Sequence, residues 1–157
     1  MKRILLYIVI LAAVLLVPVQ PSNIGQLLPV QIVSVAKQRE MVILRTDLNN
    51  TGEGTTVKEA LRDLKDKAAG MIYLDTAQYL LVEEELFSEI EELKEVLKPS
   101  IRICTMEGVV NLTEAVAYLD VHGQLPKLKW WETGMNLPVL SNVGNSLTFL
   151  KKVEKSA

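Results

Sequence analysis

The sequence predicts an α+β or α/β domain, built as a single mixed sheet with about three flanking helices and preceded by an N-terminal hydrophobic helix. Three observations carry that expectation. Short β-branched runs alternate with segments of helical apolar spacing. Two of those helical segments open with a capping residue three places ahead of a glutamate. And residues 4–17 form an unbroken apolar run behind Lys2 and Arg3, stopped by Pro18.

The apolar run comes first in the chain. A positive start, a short apolar stretch and a helix breaker are the marks of a secretory signal or a membrane anchor. Fourteen residues of helix reach about 21 Å, short of a hydrocarbon core of about 30 Å. Length therefore favours a signal peptide. The residues that follow favour retention, because Pro18, Val19, Gln20 and Pro21 supply no small-residue cleavage site. Cys104 is the one cysteine, so lipid attachment at the leader is excluded. Residues 1–21 are thus expected to be a signal anchor, or alternatively a cleaved signal. Residues 22–29 are expected to be a linker, and residues 30–157 one globular domain on the outer side of the membrane.

Along that domain, residues 30–35 and 41–44 read as antiparallel strands around a polar turn. Residues 49–54 read as a turn-rich loop. Thr56 and Glu59 frame a capping box, and Val57, Ala60, Leu61, Leu64 and Ala68 then recur at helical spacing until Gly70. Residues 71–74 and 79–82 are short strands. Residues 83–98 predict a helix with Leu86, Ile90, Leu93 and Leu97 on one face and glutamates on the other. Residues 101–106 alternate as a strand, and a helix capped by Asn111 runs to about His122. Three extended segments close the chain, over residues 125–131, 135–140 and 147–153.

Composition narrows the function classes. The net charge of −2 includes Lys2 and Arg3, so the outward part is more acidic still. Such a domain has no basic patch with which to neutralise phosphates, which excludes nucleic acid as a partner. One cysteine forms no intramolecular disulfide, so stability rests on packing. Residues 49–51 and 111–113 match a glycosylation sequon, a short pattern that recurs by chance.

Residues 51–64, Thr-Gly-Glu-Gly-Thr-Thr-Val-Lys-Glu-Ala-Leu-Arg-Asp-Leu, resemble a segment in the N-terminal domain of the Ger(x)C family. These are the C-subunit lipoproteins of spore germinant receptors. The order that follows is also similar: a hydrophobic strand at 79–82, the Glu84-Glu85-Leu86 start and a strand closing at Gly108. The resemblance covers about residues 30–108. It departs from the family in lacking the lipobox cysteine and the later domains. It implies a non-enzymatic, outward-facing domain at the membrane, with a role in sporulation or germination.

No residue set names a reaction. Gly52-Glu53-Gly54 before a helix lacks a phosphate-binding pattern and carries a repelling carboxylate. Cys104 in an apolar strand reads as packing rather than as a nucleophile paired with His122. Asp63 and Asp66 lack a histidine partner for a metal. The expectation is therefore no catalytic, metal or cofactor site. Two interaction candidates remain. Asp75 and Thr76 lie in a loop between strands, where ligands often sit. Trp130 and Trp131 are adjacent, so an extended chain directs one ring away from the core, with Lys127 and Lys129 beside them. The expected partners are the membrane, through residues 4–17, and a protein at its surface. The alternative is a secreted small-ligand-binding domain.

Overall fold

Nine strands and two α-helices form among the residues that the computed structural model describes, which are 27–122, 125–127, 137–144 and 146–150. The strands are β1 (Leu27–Pro29), β2 (Ile32–Gln38), β3 (Met41–Thr46), β4 (Thr51–Gly54), β5 (Met71–Tyr73), β6 (Tyr79–Val82), β7 (Arg102–Glu107), β8 (Val139–Val143) and β9 (Ser146–Leu150). The helices are α1 (Val57–Lys67) and α2 (Leu112–His122). Seven strands make one mixed sheet in the order β4-β3-β2-β6-β7-β8-β9, and β1 pairs with β5 in a small parallel sheet. The α+β class expected from the sequence is the class observed.

The middle of the large sheet is parallel: β2, β6, β7 and β8 run the same way, and antiparallel hairpins flank them. Parallel strands need cover on both faces, and the sequence supplies it. All four residues of β6 are buried. Leu80 and Val82 point to a first face, packed with Val33, Val35 and Ile103 under α1 and residues 86–97. Tyr79 and Leu81 point to the second face, with Ile32, Cys104 and Met106 under Ala115 and Leu119 of α2.

Residues 49–54, expected as a loop, include β4, which pairs with β3 from Val42↔Gly54 to Arg45↔Thr51. Gly52 and Gly54 mimic turn chemistry in the sequence, but their purpose is close approach. A Cβ on Gly52 would lie 2.1 Å from the Ala60 carbonyl oxygen, and one on Gly54 would lie 2.5 Å from the Ala60 nitrogen. Helix α1 therefore rests on the bare backbone of the edge strand. The Thr56 hydroxyl accepts from Glu59 N–H at 3.2 Å. The Glu59 carboxylate accepts from Thr55 N–H at 2.9 Å and from the Thr55 hydroxyl. Those bonds, led by the Thr55 hydroxyl, hold its pKa below the ordinary value. The helix ends at Lys67 because Ala68 turns extended, ahead of the stop expected at Gly70.

The single helix expected over residues 83–98 is instead two 3₁₀ segments, Glu84–Leu86 and Ile90–Glu95. The anchors are as expected, since Leu86, Ile90, Leu93 and Leu97 are all buried. An α-helix here would set Glu85 against Glu89 and Glu91 against Glu95 at i,i+4 spacing. Of the two lysines in the segment, Lys94 pairs with Glu91 and Lys98 donates to the Thr76 carbonyl at 3.3 Å. Part of the expected linker is also structured, because residues 27–29 are strand β1. Of the expected C-terminal extended segments, β8 and β9 form a hairpin, and Lys127 bridges Arg102.

Gly52→Ala is expected to cost at least ~3 kcal/mol in urea unfolding, because backbone rather than a flexible side chain blocks the new methyl. Gly108→Ala is the control. Its φ is +75° with nothing near the added atom, so only the left-handed strain of about 1 kcal/mol is expected. Thr46 is 2 % exposed and its hydroxyl has no hydrogen-bond partner among the described residues. Thr46→Val should therefore raise stability by about 1 kcal/mol in the same assay.

Candidate functional site

The two edges of the parallel strands are finished differently. At the amino edge, polar groups are paired. The Tyr79 hydroxyl donates to Asp120 Oδ1 at 2.6 Å, which ties β6 to α2. Arg102 Nη1 lies 3.4 Å from the same hydroxyl, and its guanidinium sits 5.8 Å from the ring centroid. Burial, reinforced by Asp120, pushes the phenol pKa up.

The carboxyl edge is where open α/β sheets bind ligands, in the crevice between neighbouring strands whose chains leave to opposite faces. Strands β6 and β7 meet that description. From Val82 the chain turns over the first face, and after Gly108 it rises to α2 on the second. A cleft of about 480 Å³ opens there. Glu83, Glu84 and Glu85 form one wall, Glu107 lies at the end of β7, and the cross-strand row Thr105, Val139 and Leu150 lies beneath. Glu83 also fixes the end of β2, because its Oε2 accepts from Lys37 N–H at 2.7 Å. The site is thus a carboxylate rim over a partly apolar floor.

The residues singled out from the sequence lie elsewhere. Asp75 and Thr76 form a 3₁₀ turn immediately before β6, at the amino edge. The Thr76 hydroxyl lies 2.9 Å from the Val30 carbonyl and 2.7 Å from that of Tyr73, so it serves the fold. Asp75 is exposed beside it. Trp130 and Trp131 lie outside the described residues, as do residues 4–17. Cys104 is fully buried in the second-face core, while His122 is exposed and stacks on Tyr118 at 4.5 Å between centroids. Asp63 holds the edge strand: its Oδ2 accepts from Glu53 N–H at 2.8 Å and pairs with Lys67 at 2.7 Å.

Sequence reasoning missed the crevice. Its glutamates read as the solvated start of a helix, and only the change of covering face brings Glu83–Glu85 beside Glu107. The available signal was the pair of strand ends, at Val82 and Glu107, each followed by a charged or glycine-bearing departure. Compared with known proteins, the chain matches no family model, no curated protein and no solved structure.

Burial pushes the Cys104 thiol from 9.0 up to about 12, which disfavours the nucleophilic thiolate. The shift also fixes the alkaline behaviour. Above pH 9 the unfolded chain has lost this proton while the folded chain keeps it, so stability falls as pH rises. Across the window from 9 to 12 the loss amounts to roughly 4 kcal/mol. Tyr79, also raised, adds a loss of the same sign. Urea unfolding at a series of pH values should show this decline, and Cys104→Ala should flatten it.

Proposed function

We propose that this chain is a non-catalytic recognition domain, held outside the membrane by residues 4–17, that binds a basic segment of a protein partner in its carboxyl-edge crevice. The observation that carries the reading is the crevice itself, where four glutamates converge on a partly apolar floor. Charge complementarity selects a Lys- or Arg-bearing segment and speeds its approach, while the apolar row contacts the stems of such side chains. The leader supplies the location, since its charge pattern keeps Lys2 and Arg3 inside and directs the domain outward.

The Ger(x)C resemblance adds a role in sporulation or spore germination to this reading. Its most distinctive residues, Gly52 and Gly54, are explained by the packing of α1. The similarity therefore bears on architecture more directly than on a site. The small-ligand reading has its own support, a narrower groove on the second face of the sheet.

Two measurements on native membranes test the proposal together. Fractionation with N-terminal sequencing should recover the chain in the membrane pellet with its leader intact. A photo-crosslinker at position 85 should yield one adduct that Glu84→Lys and Glu107→Lys combined abolish. High salt should weaken that adduct, since the screening length falls from about 10 Å at 0.1 M to about 3 Å at 1 M. Recovery of a soluble chain trimmed beyond residue 17, or an adduct indifferent to charge reversal, would overturn the reading.

A further inference from the structure

On the second face, beside the crevice, a groove of about 160 Å³ runs between strands β2 and β3 and the residues following β7. Its position follows from the cover. Helix α2 packs over β2, β6 and β7 but leaves the β3 side of this face open, and residues 108–110 form the far wall. Ser34 and Arg45 are direct cross-strand partners, and Ala36 and Ile43 form the next row. Alternation puts all four on one face, with the Cβ atoms of each pair about 5 Å apart. Met106 and Val110 complete an apolar lining.

Two polar groups in this groove are unspent. Ser34 is 4 % exposed, and its hydroxyl makes no hydrogen bond among the described residues. Ser34 lines the groove, so its hydroxyl is left to bond a molecule lying there. Arg45 is exposed and forms no ion pair among the described residues. Its guanidinium also borders the cleft holding the N-terminal end of α2, where Asn111 and Thr113 lie. The positive end of that helix dipole reinforces the cation. Asp47, the carboxylate lining that side, already accepts from Gln31 N–H and Ile32 N–H at 3.1 and 3.4 Å. At the other end of the groove, Glu83 repels a second negative charge.

We infer that this groove binds a small monocarboxylate with an aliphatic body. The carboxylate accepts from the Arg45 guanidinium and the Ser34 hydroxyl, and the chain lies along Ala36, Ile43 and Met106. Arg offers the forked donors that a carboxylate matches. The volume is close to that of the ~150 Å³ cavity that holds one benzene, which limits the ligand to about six to eight non-hydrogen atoms. The groove shares Glu83, Met106 and Gly108 with the acidic crevice, while Ser34, Ala36, Ile43 and Arg45 belong to the groove alone of the two.

Hexanoate is the probe, titrated into the isotopically labelled full-length chain in neutral detergent micelles and read by amide chemical shifts. Saturable shifts are expected at Ser34, Ala36 and Ile43. Hexylammonium, with the same body and opposite charge, should leave them unmoved, and inorganic phosphate should bind at least tenfold more weakly. Arg45→Gln should weaken hexanoate at least tenfold, and Ser34→Ala about three- to tenfold. Both variants should keep the spectrum of the first-face core, which excludes unfolding as the cause. Absent saturation, unchanged affinity in Arg45→Gln, or equal binding of phosphate or hexylammonium would each overturn the assignment.

Discussion

The burial of β6 on both faces is the constraint on which the rest of the structure depends. Four consecutive residues, Tyr79, Leu80, Leu81 and Val82, are withdrawn from water, so neither face of the central sheet can stay bare. Residues 57–67 and 86–97 cover one face and α2 covers the other. A chain that covers one face on leaving β6 must cross to the opposite face on leaving β7. The crevice at the carboxyl edge is the geometric consequence of that crossing. The same crossing sets the chemistry of its rim, because Glu83–Glu85 end one strand while Glu107 ends its neighbour.

A second constraint acts at the sheet's edge. Strand β4 is short and would present unpaired amides to any extended chain. Helix α1 lies so close that Gly52 and Gly54 admit no side chain. Asp63 on that helix then accepts the Glu53 N–H and is itself held by Lys67. Both bonds, the Lys67 one foremost, keep the Asp63 carboxyl below its usual range. One helix thus fills the first-face core with Leu61 and Leu64, and it also caps the edge.

These arrangements explain what the sequence made legible. Apolar periodicity located β2, β3, β6, β7 and both α-helices, because each of those elements is defined by the faces it buries. The same periodicity identified Leu86, Ile90, Leu93 and Leu97 as anchors but not the backbone between them. The anchors fit either helix type, so their spacing leaves the backbone between them undecided. Gly52-Glu53-Gly54 read as a turn because glycine signals both free dihedrals and missing volume. Only the position of Ala60 separates the two meanings. Both clefts escaped notice for a related reason. They are assembled from residues far apart in the chain, such as Glu83 with Glu107 and Ser34 with Arg45. Asp75 and Thr76 drew attention as an isolated polar pair, yet the Thr76 hydroxyl is consumed by the Val30 and Tyr73 carbonyls.

The contrast between the two ends of the parallel strands supports placing recognition at only one of them. At the amino edge Tyr79 is matched to Asp120 and faced by Arg102, and Thr76 is matched to the backbone. Those bonds close that edge and fasten α2 to β6. Cys104, midway along β7, is sealed from water with its thiol protonated. At the carboxyl edge the matching is partial, with Glu83 accepting from Lys37 N–H. Among the described residues the Ser34 hydroxyl makes no hydrogen bond and Arg45 forms no ion pair, and Glu107 adds a carboxylate at an already acidic rim. Their grouping along the two clefts is what a surface shaped for binding requires, with Ser34 and Arg45 on the second face and the acidic rim at the carboxyl edge.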